Sequence, residues 1–237
     1  GRRVALGGLE LCVPEGSLFG LVGSNGAGKT TALSIMAGIT RPDSGRVRIL
    51  GDGFFDAATH AGKVSLMPQD SLLPMEARVR ELLMFYACLQ GINKQDIPNA
   101  VNDVLQWVHL MDRADSSIQS LSRGMRRRVM IAQAFLGNPG LVLLDEPLSG
   151  LDPREVVNIR RLLTLRRGQQ TVILSSHNLH EIQLVCDTVA FIENGKKIRQ
   201  DSMEAITGRT CVVTYILQGH EPDLQGLSTL LPGTTFN

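Results

Sequence analysis

The chain has 237 residues, 43% of them hydrophobic and 20% charged, enough to bury the core of one large domain or of a domain with a sub-lobe. Its 24 basic and 23 acidic side chains nearly cancel, so no overall field draws it to nucleic acid or anionic lipid, and any basic function must be local. No apolar run approaches the ~20 residues that span a bilayer and no signal peptide opens the sequence, so the polypeptide is not expected to cross a membrane itself.

In chain order, VALGGLELCV, the turn PEGS, LFGLVG and later RVRIL read as strands, a small β region feeding one buried strand. KVSLMPQ at 63–69 is a further strand candidate. The pattern then turns helical: Leu82, Phe85, Tyr86 and Leu89 fall at i, i+3, i+4 and i+7, and a helical lobe is expected from about residue 72 to 135. Strands return with LVLLD at 141–145, TVILSSH at 171–177 and VAFIENG at 189–195, each apolar enough to be covered on both faces, as in a parallel α/β sheet. After about residue 208, CVVTYIL and a Gly/Pro/Ser-containing end read as a small appended strand unit. Cys12, Cys88, Cys186 and Cys211 lie far apart among apolar neighbours with no CxxC pair, the usage of buried free thiols in a reducing compartment.

GSNGAGKT at 23–30 follows an apolar strand and opens the helical stretch KTTALSIMAG, the context that the G-x-x-x-x-G-K-[ST] pattern requires. Gly23, Gly26 and Gly28 let the loop, with Ser24, Asn25 and Ala27 between them, wrap a phosphate chain so that backbone N–H groups and the helix N-terminus face the anion. Lys29 then reaches the β and γ phosphates, the Thr30 hydroxyl binds Mg²⁺, and Thr31 is a further phosphate contact or a solvated residue of the first turn. ATP and Mg²⁺ are the cofactors implied.

LVLLDEP ends an apolar strand in two acids, which places them at the carboxyl edge of the sheet, where ligands of open α/β folds bind. Asp145 is the expected Mg²⁺ partner, directly or through water. Glu146 is the expected base that polarises a water for attack on the γ phosphate, since a second adjacent carboxylate costs stability unless it has a task. His177 ends TVILSSH and projects at the same edge, toward the γ phosphate or the attacking water. Gln69, ending KVSLMPQ, offers an amide oxygen to Mg²⁺ or to that water, and the residue alone does not decide between them.

LSRGMRRR at 121–128 has three readings: a nucleic-acid patch, a solvated face, or a helix start that holds an anion. Ser122 is a good N-cap, and Met125, Val129, Ala132 and Leu136 share one face of the ensuing helix, so its N-terminus with the Gly124 N–H forms an anion site. The arginines fall mostly off that face and read as a solvated or ion-paired surface.

These pieces, in this order, resemble the nucleotide-binding subunit of ABC (ATP-binding cassette) proteins: GSNGAGKT, the glutamine of MPQD, LSRGM, LVLLDEP, SGLD at 149–152 and SSHNLHE with His177, over about residues 4 to 207. The resemblance implies a P-loop NTPase with a RecA-like parallel sheet core, an N-terminal antiparallel β region and an inserted helical subdomain. It implies an ABC ATPase domain over 1–207 and a short C-terminal extension over 208–237. It also implies a head-to-tail, ATP-dependent homodimer or pseudo-dimer in which Ser122, Arg123, Gly124 and Met125 grip the γ phosphate bound to the opposite subunit, with Asp152 communicating across the dimer or simply capping a helix before Pro153. Arg123 and Met125 stand where the family usually has Gly and Gln, and the GM-x-x-R form is similar to that of exporter ATPases for drugs, lipids and polysaccharides. In the family, separate transmembrane permease subunits dock on the helical lobe, here near Leu72, Leu73, Met75 and Phe85, which would hold the chain at the cytoplasmic face of the membrane. The aromatic that stacks on adenine in the family falls ahead of Gly1, and Gln133 replaces a common Arg. Two other functions remain open at this point: an ABC ATPase acting on a ribosome or DNA, and a P-loop kinase for a small metabolite.

Overall fold

A computed structural model describes residues 4–51, 55, 56, 58–70 and 72–208. The described residues up to Thr207 form one compact unit. The expected strand CVVTYIL, the C-terminal extension beyond Gly208 and Cys211 lie outside the described residues.

Six strands, β1 (Leu18–Val22), β2 (Val64–Met67), β3 (Leu141–Leu144), β4 (Thr171–Ser176), β5 (Thr188–Glu193) and β6 (Lys196–Ser202), build one sheet in the order β2-β3-β4-β1-β5-β6. All neighbours pair parallel except the antiparallel β5–β6 hairpin. Every residue of β1, β3 and β4 is buried, and side chains alternate between two cores. Leu18, Val22, Val142, Leu144, Val172 and Leu174 enter one core with residues of α4 (Arg123–Phe135), α5 (Pro153–Thr164) and α6 (Leu179–Gln183). Phe19, Leu21, Leu141, Leu143 and Ile173 enter the other with α1 (Lys29–Met36). Two covered faces explain why these strands read as unbroken apolar runs.

The expected N-terminal antiparallel region is not built as paired strands among the described residues: 4–13, 46, 47 and 49 run as irregular chain, and Arg48 makes only an isolated bridge. Leu6, Leu9, Leu11, Val13 and Val47 still pack inward, so the alternation in the sequence reports burial without a hydrogen-bonded ladder.

Between β2 and β3 lie α2 (Val79–Leu89), α3 (Ile97–Trp107), two short 3₁₀ turns and α4, around a third core that contains Leu82, Leu83, Val104, Leu105, Val129 and Ala132. The helix expected around Leu82–Leu89 is present, but its buried face is Val79, Leu82, Leu83 and Ala87, while Phe85 and Leu89 are 57% and 67% exposed. The turn after α5 is tied to this lobe by Arg166, whose guanidinium lies 4.3 Å from the centre of the Trp107 ring, itself packed on Phe135. Among the described residues the last element is α7 (Met203–Thr207).

Candidate active site

The register sets the site. Met67 pairs with Leu144, Leu144 with Leu174, and Val22 with Ser176, so the carboxyl ends of β2, β3, β4 and β1 finish side by side. Just past these ends stand, in spatial order, Gln69, Asp145–Glu146, His177 and the loop 23–28.

The loop joins β1 to α1, whose N-cap is Gly28 at φ 107. A side chain there would be strained and would meet the Leu6 side chain at 2.7 Å and the Ala5 carbonyl at 2.9 Å. The Ala27 carbonyl accepts from Gly195 N–H at 2.9 Å, and Gly23 N–H donates to Ser176 O at 3.2 Å, which ties the loop to β4 and to the β5–β6 turn. Ser24, Asn25, Gly26 and Thr30 are exposed, Thr31 is half-buried, and Ala27 and Lys29 are buried. Lys29 Nζ donates to Gly23 O at 2.7 Å and Ser24 O at 3.3 Å, and lies 3.4 Å from Glu146 Oε1.

Asp145 is 1% exposed and Glu146 4%. Glu146 carries φ 49, a conformation uncommon for a residue with a side chain. It is held there at several points. Its N–H donates to Ser175 Oγ at 2.9 Å, its carbonyl accepts from Ser149 N–H at 3.2 Å, and Oε2 lies 3.0 Å from His177 Nδ1. The Ser175 hydroxyl in turn donates to Asp145 Oδ1. Lys29, chosen from sequence by the phosphate-loop pattern, and Asp145, Glu146 and His177, chosen by their places at strand ends, therefore meet in one network. Gln69 is exposed just beyond β2, on the same edge. Sequence reasoning missed Ser175, fully buried, which orders both acids. Two hydroxyls ending an otherwise apolar buried strand were its signal, since a buried hydroxyl needs partners.

A divalent cation fits one gap in this network. Asp145 Oδ2 is buried and has no hydrogen-bond partner among the described residues, and the Thr30 hydroxyl is exposed at the start of α1. No group of three or more His, Cys, Asp or Glu able to hold a metal occurs among the described residues, and one carboxylate plus substrate phosphates is the usual Mg²⁺ arrangement.

Ser122, Arg123, Gly124 and Met125 lie at the start of α4. Ser122 caps it, its Oγ accepting from Met125 N–H at 3.2 Å. Asp152 caps α5, its Oδ1 accepting from Arg154 and Glu155 N–H, both at 3.0 Å. A cap before Pro153 is thus what the structure displays for Asp152.

The ABC transporter family pattern matches residues 6–149. The chain is 34% identical over 232 residues to the Nod factor export ATP-binding protein I of Rhizobium sp. (strain N33), covering 96% of this chain and 76% of that protein. The chain belongs to the ABC transporter ATP-binding family. Among solved structures it resembles the ATP-binding subunit of an ABC transporter (27% identity, TM-score 0.74, covering 86% of each chain). It also resembles cbiO1 from Clostridium perfringens, part of the ABC transporter complex cbiONQ (26% identity, TM-score 0.77, covering 96% of this chain and 89% of that one). The chain is thus an ATP-binding subunit of an ABC transporter and an ATPase with a P-loop NTPase fold. Neither a ribosome- or DNA-directed machine nor a metabolite kinase is favoured by these likenesses. Among the described residues no helix is long and apolar enough to cross a membrane.

Proposed function

We propose that this chain powers export, as the ATPase of a membrane complex whose substrate pathway is built by separate transmembrane subunits. The observation that supports the chemistry is the contact of buried Lys29 and buried Glu146, with the exposed His177 ring on the same carboxylate, at the mouth of the phosphate loop. Export is supported by the GM-x-x-R form of the signature and by the Nod factor exporter to which the chain is similar. When nucleotide enters, Lys29 leaves the Gly23 and Ser24 carbonyls for the β and γ phosphates, and this frees Glu146 to accept a proton from the attacking water. His177 orients Glu146 and faces the γ phosphate. Asp145 and Thr30, with Gln69 as a further oxygen donor, would hold Mg²⁺, which supplies charge neutralisation at the phosphates when bound. The loop 23–31 cradles ATP.

Two copies close head to tail, each offering Ser122, Arg123, Gly124 and Met125 to the ATP held by the other, with Asp152 at the seam. The domain responsible spans 1–207, with the helical subdomain over about 72–135 and an extension over 208–237. The transmembrane partner docks on the lobe's exposed apolar face, where Leu72 is 94%, Met75 46% and Phe85 57% exposed while Leu73 packs inward. That contact keeps the chain at the cytoplasmic face of the membrane.

The test is Glu146→Gln. The variant binds MgATP and accumulates as a dimer, with turnover reduced about 10²-fold or more, the scale of losing a positioned base. Turnover at the wild-type rate would remove Glu146 from the mechanism.

A further inference from the structure

The arginines after Gly124 are half-buried and bonded to carbonyls, and they divide by direction. Arg126 donates to Ile118 O at 3.2 Å and Gln119 O at 3.0 Å, and Arg128 donates to Val108 O at 3.0 Å and His109 O at 3.3 Å. These two hold α4 to its own lobe. Arg127 reaches the other way: Nη2 lies 3.5 Å from Ser149 O, in the turn beyond Glu146, while Nη1 is buried without a hydrogen-bond partner among the described residues. One turn earlier, the Arg123 guanidinium lies against Gly150, where an added Cβ would overlap it. Arg123 and Arg127 thus bracket Ser149–Gly150, and Ser149 N–H is the donor that holds the Glu146 carbonyl at 3.2 Å. A similar tie runs from the start of α5, where Glu155 packs on Gly124 so closely that no Cβ fits and also lies 3.3 Å from Arg128 Nε.

We propose that Arg127 is a positioning residue for hydrolysis: with Arg123 beside it, it locks the turn 149–150 to the signature helix of the same subunit, so that the Glu146 backbone and the anion-binding end of α4 move as one body. The proposal rests on Glu146 acting at the γ phosphate. Its physical logic is strain. Glu146 sits at φ 49 and Gly150 at φ 68, and a left-handed residue with a side chain persists only where its surroundings over-determine it. The Arg127–Ser149 contact, at 3.5 Å, is at the long limit of a hydrogen bond. Burial draws the Arg127 guanidinium below the ordinary arginine range, as does Arg123, while Asp70 and Glu146 oppose this and favour its charge. A planar fork that keeps its charge when partly buried suits this place better than a lysine ammonium.

The experiment compares steady-state ATP hydrolysis by the full chain as wild type, Arg127→Gln, Arg127→Lys, Arg126→Gln and Glu146→Gln, each with its melting temperature. Arg127→Gln is expected to lower kcat about tenfold or more with KM for ATP within about twofold, since misplacing a reacting group by an ångström is enough for that. Arg127→Lys recovers part of the loss, and Arg126→Gln leaves kcat unchanged. Wild-type kcat in Arg127→Gln overturns the proposal. So does an equal loss in Arg126→Gln and Arg127→Gln that tracks a lower melting temperature, because the role is then only structural. Wild-type turnover in Glu146→Gln instead overturns the reading beneath it, so the two failures are told apart.

Discussion

At Ser122 one hydroxyl accepts the Met125 N–H at 3.2 Å and, in the dimer proposed, faces a γ phosphate, so stability and phosphate gripping can be separated by substitution. Ser122→Ala removes the cap, at about 1 kcal/mol of stability, and weakens the grip as well. Ser122→Asp caps equally well and favours the positive end of the helix, but sets a carboxylate against the incoming phosphate. Ser122→Asp is therefore expected to melt at or above the wild-type temperature yet fail to hydrolyse ATP, and in a Glu146→Gln background to stay monomeric on size exclusion with MgATP. Full activity in Ser122→Asp would show that this hydroxyl is a cap and nothing more. The network at Glu146 works through the same kind of double use, the Ser175 hydroxyl accepting from one acid's backbone and donating to the other acid's carboxylate.

At the scale of elements, strands buried on both faces were legible because burial writes a continuous apolar run, and their ends carried the site. Asp145, Glu146 and His177 needed only the rule that ligands of open sheets bind at carboxyl ends, and Lys29 only the phosphate-loop pattern. What was not legible turned on partners distant in sequence. Strand β6, KKIRQDS, is mostly exposed and carries no apolar pattern, and residues 4–13 alternate without pairing. α2, VRELLMFYACL, is apolar on nearly all sides, so the set 82, 85, 86, 89 and the set 79, 82, 83, 87 fit one helix equally well. Packing on α3 and α4 chose the second set and left Phe85 and Leu89 outside. An apolar helix face left in water points to an interface. Phe85→Asp with Leu89→Asp should thus change stability by no more than about 0.5 kcal/mol, as surface substitutions do, and leave the basal ATPase of the chain intact. Recovery of polytopic proteins with the tagged chain from detergent-solubilised membranes should fall to background. Undiminished recovery in the double variant would place the partner elsewhere.

Across the whole molecule the cysteines report how the fold opens. The sequence suggested four buried thiols, but Cys12 and Cys88 are exposed and only Cys186 is buried among the described residues. Apolar neighbours in sequence do not fix depth when the segment lies at a surface, as the outer face of α2 does at Cys88. Cys186 belongs to the core formed by β1, β3, β4 and β5, and burial, reinforced by Asp187 against Arg167, pushes its thiol far above the ordinary cysteine range. A buried protonated thiol does not react with an alkylating agent, since the thiolate is the nucleophile. In the folded protein iodoacetamide should therefore label Cys12 and Cys88 promptly, and Cys186 only through opening of the sheet core, at a rate that tracks the open population when closing outpaces labelling. ATP binds the folded form, so it should slow Cys186 labelling by a factor near one plus the ratio of ATP concentration to its dissociation constant, and leave Cys12 and Cys88 unchanged. Lys29→Ala should abolish that protection. Peptide mapping by mass spectrometry separates the sites, and Cys186 labelling at the rate of Cys12 in native protein would mean that the core does not close over this residue.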